Sequence, residues 1–170
     1  SCIYLNHYNY SGNKGAIDEL ISKPIQLMGS TNPFLEFDLA YARYSGTDAE
    51  KLRILLSADC GLTFPIEIYN KSGLDIDGNT LTTYGSISTS FFPSDSSQWR
   101  TERIDLSAYN MDSVILKFEA TNGYGNNLFL DNIYIYNYPP INITSSISDA
   151  SCFGGSEGAI QLTIEGGFPP

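Results

Sequence analysis

Residues 34–44 read FLEFDLAYARY. Leu35, Phe37, Leu39 and Tyr41 occupy alternate positions, a period of two that puts their apolar side chains on one face of a β-strand. Three other stretches repeat the pattern: Leu52, Ile54 and Leu56 in KLRILLS (51–57), Val114, Leu116, Phe118 and Ala120 in SVILKFEAT (113–121), and Leu128, Leu130, Tyr134 and Tyr136 in NLFLDNIYIYN (127–137). Weaker strands are expected at Ile3–Tyr8, Glu19–Ile25, Ile66–Asn70 and Arg100–Leu106. About eight strands joined by Gly, Asn, Ser and Pro turns predict an all-β chain, an antiparallel two-sheet jelly-roll sandwich. GTDAEK (46–51) and LSAYN (106–110) are the short helical candidates, both in loops.

Composition agrees. The chain has 170 residues, with Tyr at 12 and Phe at 9, and lacks the runs of Ala, Leu, Glu and Lys that helices use. A domain of roughly 140 residues buries about two thirds of its unfolded surface, enough for one core. NYPPINITSSISDAS (137–151) then breaks the pattern, because proline cannot donate to a ladder. The sandwich is therefore assigned to residues 1–138, and residues 139–170 to a linker and a short C-terminal β extension. CIYLNHYNY (2–10) starts as a strand, which reads as a cut from something longer.

A net charge of −10, from 19 acidic and 9 basic residues, argues against nucleic acid and anionic membranes as partners. No apolar run reaches the roughly 20 residues of a membrane-spanning helix. Cys2, Cys60 and Cys152 form no C-x-x-C pair and His7 is the one histidine, so zinc is not expected. Nucleophilic catalysis would have to be built on His7, and nothing arranges the carboxylates as a glycosidase pair. DIDGN (75–79) has calcium-like spacing at Asp75, Asp77 and Asn79 but no later bidentate Glu, so it reads as a hairpin turn. NKGAIDE (13–19) and NGYGNN (122–127) read as turns, and the sequons at Asn70 and Asn142 as chance. Tyr4, Tyr8, Tyr10, Tyr44, Tyr84, Trp99 and Tyr124 are numerous enough to hold a sugar-stacking platform, although core or rim packing accounts for most such rings. Asp131, on a strand apolar on both faces, and Asp38 need a partner for their carboxylates.

DELISKPIQL (18–27), LEFDLAYARYSGTDAEKLRILLSADCGLTF (35–64) and WRTERIDLSAYNMDSVILKFEATNGYGNNLFLDNIYI (99–135), taken in order, resemble the MAM-like jelly-roll modules of secreted Bacteroidetes proteins. Those modules are similar to gingipain-type adhesin domains and commonly lie downstream of pappalysin-type zinc proteases. SCFGGSEGAIQLTIEGGFPP (151–170) resembles the start of an SprB-type repeat of gliding-motility adhesins. The resemblance implies a non-catalytic accessory module of a large secreted or cell-surface protein, binding a glycan or protein, with any catalytic domain elsewhere. The alternative it implies is a structural spacer that stabilises an upstream metalloprotease through contacts with neighbouring domains.

It also implies a structural calcium near the junction of the first and last strands, held by Asp18 and Asp131, with backbone carbonyls of the NYSGNKG loop (9–15) and Asp38 to complete the shell. The other reading of Asp131 is that it accepts backbone N–H bonds at a strand crossing. In an exported protein Cys2 and Cys60 are expected to form a disulfide worth roughly 4 kcal/mol in the chain-entropy model, leaving Cys152 as a buried thiol.

Overall fold

A computed structural model describes residues 2–10, 12–44, 47–75 and 79–167. The strands are β1 (Ile3–Leu5), β2 (Ile17–Ile21), β3 (Pro33–Tyr41), β4 (Lys51–Ser57), β5 (Ile66–Ser72), β6 (Arg100–Asp105), β7 (Ile115–Thr121), β8 (Leu128–Asn137), β9 (Asn142–Ser148) and β10 (Ala159–Glu165). Sheet A has the order β1-β8-β3-β6 and sheet B the order β2-β7-β4-β5, with every pair antiparallel. From β1 to β8 the chain crosses between sheets at every connection except β4 to β5, the winding of a jelly roll. The LSAYN candidate is a short 3-10 turn at Ser107–Tyr109.

The period-two faces meet between the sheets. Leu35, Phe37, Leu39 and Tyr41 pack against Leu52, Ile54, Leu56, Leu116, Phe118 and Ala120, all buried. Phe37 sits edge-on to Phe118 and Tyr69, with centroids 5.7 and 5.5 Å away. Fully burying such side chains stabilises by about 1.5–3 kcal/mol each. At one edge Glu102, opposite Phe37, points inward and is compensated by Lys71 at 2.9 Å and Arg100 at 2.6 Å.

One departure from the alternation decides the surface of sheet A. Between Glu36 and Asp38 the β3–β8 register slips, so that Asn132 and Ile133 together oppose Phe37. Asn132 is left-handed (φ 48°), a conformation asparagine tolerates better than most residues. Leu128 and Leu130 face the core, as expected, but beyond the bulge it is Ile133 and Ile135 that face inward. Tyr134 and Tyr136 are thus turned out of the core, at 52% and 41% exposure. Asp131 is half-buried rather than enclosed: alternation from Leu130 puts it on the outer face across from Asp38, and the bulge turns Ile133 and Ile135 away from that face toward the core.

β9 and β10 form a separate two-stranded ribbon, with Ile143, Ser145 and Ile147 opposite Ile164, Leu162 and Ile160 on one face. These Ile and Leu side chains are 60–69% exposed. Tyr138 still belongs to the sandwich, its amide donating to the Asn32 carbonyl at 3.0 Å.

The expected Cys2–Cys60 disulfide is not formed: Cys2, Cys60 and Cys152 are all free and exposed. Cys2 precedes β1 on sheet A and lies beside Leu130 and Asp131, whereas Cys60 occupies the turn after β4 of sheet B. Cys152 is likewise not buried, since the turn between β9 and β10 has no sheet against it.

Candidate functional site: the outer face of sheet A

The outer face of sheet A has a covered half and an open half. Residues 87–99 fold over the first, where Phe91 and Trp99 pack on Ala40, Ala42 and Phe129. Asn126 and Asn127, fully buried, fasten this cover: Asn126 Oδ1 accepts from the Phe91 amide at 2.8 Å, its Nδ2 donates to the Thr89 carbonyl at 2.9 Å, and Asn127 Nδ2 donates to the Phe91 carbonyl at 3.0 Å. NGYGNN is therefore more than a turn. Of the candidate stacking residues, Tyr4 lies on Phe129, Tyr84 on Phe91, and Trp99 edge-on to Phe129, which leaves them in this cover.

The open half carries a groove of about 240 Å³ lined by Glu36, Asp38, Thr101, Arg103, Asn132, Tyr134 and Tyr136. Register explains the grouping, since Tyr134, Glu36 and Arg103 form one cross-strand row and Asp131, Asp38 and Thr101 the next. Asp38 accepts from Thr101 Oγ1 at 2.6 Å and from Asn132 Nδ2 at 2.8 Å. Glu36 forms an ion pair with Arg103 Nε at 3.2 Å and accepts from the Tyr138 hydroxyl, and this bond to the carboxylate holds the Tyr138 phenol above its ordinary pKa. The Tyr136 centroid is 5.7 Å from that of Tyr134 and 5.5 Å from that of Tyr138. The polar groups hold one another in place, and the rings lie beside them open to solvent. Neither Tyr134 nor Tyr136 stood out in the sequence, because strict alternation put both in the core. Asn132, in mid-strand and flanked by apolar runs, was the residue that could have signalled the bulge.

The aspartates expected to hold calcium are not brought together. Asp38 and Asp131 are neighbours on sheet A, but Asp18 is on β2 of sheet B, where it accepts from His7 Nε2 at 3.1 Å. Asp131 Oδ1 accepts from the Asn132 amide at 2.8 Å, which is the backbone-bonding reading of that residue. No cluster of three or more His, Cys, Asp or Glu suited to a metal occurs among the described residues. In DIDGN, Asp77 lies outside the described residues, and Asp75 accepts from the Ser72 amide at 2.7 Å as a turn residue does.

A second polar centre lies inside the sandwich end. Glu50, fully buried, accepts from the Tyr41 hydroxyl at 2.6 Å and from the Asn126 and Gly125 amides at 2.8 and 2.9 Å. His7 Nδ1 faces Glu50 Oε1 at 3.7 Å, an ion-pair distance too long for a hydrogen bond. Burial alone would lower the His7 pKa, but the carboxylates of Glu50 and Asp18 outweigh it and raise it. Burial likewise opposes ionisation of Glu50, and His7, Tyr41 and the two amides reverse that, holding its carboxyl below the ordinary value. Glu50 lies within GTDAEK, and its role could not be read from a segment taken as a helical insertion.

Residues 144–170 match the SprB repeat family. That segment comprises most of the β9–β10 ribbon and its continuation to the last residue. The sandwich is similar in fold to the K1 cleaved adhesin domain of Lys-gingipain from Porphyromonas gingivalis W83, with 15% identity and a TM-score of 0.51 over 79% of this chain and 73% of that one. No curated protein matches the chain. The chain thus joins a β-sandwich similar in fold to that domain to a segment that matches the SprB repeat.

Proposed function

We propose that this chain is a non-catalytic adhesion module of a secreted or cell-surface protein and that the open half of sheet A binds a neutral glycan. The observation that carries the reading is the pairing of exposed rings with fixed polar groups: Tyr134 and Tyr136 stand beside Asp38, Thr101 and Asn132 and beside Glu36 and Arg103. A sugar ring has an apolar C–H face and a rim of hydroxyls. The tyrosine rings offer a surface for the first, and carboxylates, amide, hydroxyl and guanidinium offer acceptors and donors for the second. Two carboxylates in the groove and a chain charge of −10 favour neutral sugars over sulfated or sialylated ones.

The adhesin-type fold and the SprB match support a surface or secreted setting. No helix among the described residues is long and apolar enough to cross a membrane. A glycan array probed with the wild type and with the Tyr134→Ala/Tyr136→Ala double variant tests the proposal. Saturable binding to neutral glycans that the double variant loses is the expected result. Silence of the folded wild type across the array would overturn it in favour of a spacer role.

A further inference from the structure

A second group of tyrosines meets where three connections converge. Tyr8 from the β1–β2 connection, Tyr44 from β3–β4 and Tyr124 from β7–β8 line a cleft of about 210 Å³ together with Gly125. The Tyr8 and Tyr44 rings stand 5.9 Å apart with their planes at 61°, so they form a corner rather than a stack. Tyr124, 44% exposed, supplies a further wall.

The backbone that presents these rings is fixed. Tyr124 has φ 64°, in the left-handed region disfavoured for a residue with a Cβ, and its amide donates to Asn122 Oδ1 at 2.8 Å. On either side, a Cβ at Gly123 would overlap the Ala49 carbonyl and one at Gly125 would overlap the Glu50 carboxylate. The Tyr8 amide is tied to Asn127 Oδ1 at 3.2 Å. A strained conformation over-determined by its surroundings, with the ring left facing solvent, is a pattern that clusters at ligand sites.

The lining differs in chemistry from the groove on sheet A. Among the described residues it offers rings, phenol hydroxyls and a glycine, without the carboxylate, amide and guanidinium side chains that meet a sugar's hydroxyls. Behind Gly125 lies Glu50, whose Oε1 accepts the Gly125 N–H at 2.9 Å. Of the charges in the adjoining loops, Lys14 and Asp48 pair at 2.8 Å, His7 is set between Asp18 and Glu50, and Arg43, next to Tyr44, lines a different cleft with Asp75 and Thr80. What remains is a group of electron-rich tyrosine rings lining the cleft of a chain of charge −10.

We propose that this cleft binds a compact organic cation of the quaternary-ammonium type, held by cation–π attraction, at a site separate from the glycan groove. The chemistry is shared by free choline and by a phosphatidylcholine headgroup.

Calorimetric titration of the full chain with choline chloride tests this, with 3,3-dimethyl-1-butanol as the uncharged isostere. The expected result is saturable choline binding, weakened about tenfold or more when the positive charge is removed. Tyr44→Leu should weaken choline binding by a similar factor and Tyr44→Phe should preserve it, with thermal melts confirming that both are folded. If Tyr44→Leu does not fold, Tyr8→Leu carries the same expectation. Co-sedimentation with phosphatidylcholine vesicles, lost in the same variants, would support the proposal with the headgroup as source; choline binding without vesicle binding would support it with the free cation. No choline binding by the wild type, equal binding of the isostere, or binding unchanged by loss of the ring would overturn it.

Discussion

Replacing Glu50 with alanine should be among the most damaging single changes to the sandwich. The carboxylate is fully buried and is the acceptor for the Tyr41 hydroxyl and for the Gly125 and Asn126 amides, besides facing His7. Truncation strips these donors of their partner at once. A buried donor left unmet costs about 1–3 kcal/mol, and water entering the vacated space recovers part of the total. The expected loss is about 4 kcal/mol, in the range for removing one member of a buried charged pair. Against a total stability of about 5–15 kcal/mol, that is a large fraction. Glu50→Gln keeps the volume and one oxygen acceptor but turns an NH₂ group toward donors, so it should cost about 2 kcal/mol. Urea unfolding followed by Trp99 fluorescence and far-ultraviolet dichroism would measure both. The midpoint should fall in the order wild type, Gln, Ala, with the slope unchanged. A loss under about 1 kcal/mol for Glu50→Ala would refute the idea that this carboxylate organises the 122–127 loop.

The same centre predicts a pH optimum of stability. The raised His7 pKa contributes fully below its unfolded value of 6.5 and is lost as pH rises through the folded value, while the lowered Glu50 pKa contributes fully above 4.5 and is lost as pH falls through its folded value. Thermal stability should therefore be greatest between 4.5 and 6.5, and His7→Gln should flatten the alkaline limb; a limb unchanged in that variant would show that other groups set it. Gly123→Ala should destabilise the fold by about 2 kcal/mol or more, because its methyl group meets the Ala49 carbonyl rather than a yielding side chain, and a neutral effect in a melt would contradict that packing. Thiol titration of the native, unreduced protein should detect Cys2, Cys60 and Cys152, whereas reactivity of Cys152 alone would restore the Cys2–Cys60 bridge. Truncation after Tyr138 should leave the cooperative unfolding transition almost unchanged, because the β9–β10 ribbon is a separate sheet with both strands exposed; loss of that transition would show a shared core.

The sandwich was legible because its core obeys a period of two. Leu35 to Tyr41, Leu52 to Leu56 and Val114 to Ala120 are each buried in the alternation their sequence carries. The groove was not legible, for a reason confined to a single residue. The extra residue at Asn132 shifts every later side chain of β8 to the opposite face, so Tyr134 and Tyr136, which alternation assigns to the core, reach solvent. The Glu50 centre was hidden for a different reason: His7, Asp18, Tyr41, Glu50 and Gly125 come from five elements, two strands and three connections, and their grouping depends on how the loops at one end of the jelly roll converge. The aspartates were grouped by the family resemblance, and the strand pairing that sets Asp38 beside Asp131 on sheet A and Asp18 on sheet B depends on the topology rather than on any local signal. The tyrosines at 8, 44 and 124 were noticed as aromatic, yet nothing local marks them as one site.

The central claim is that the open half of sheet A is the binding surface. The measurement that tests it most directly is amide and aromatic chemical-shift mapping during titration with the strongest neutral glycan found on the array. Saturable shifts concentrated at Thr101, Arg103, Asn132, Tyr134 and Tyr136, absent from the Tyr134→Ala/Tyr136→Ala variant, are the expected result. Saturable shifts confined to other parts of the chain, with this groove unperturbed, would contradict it.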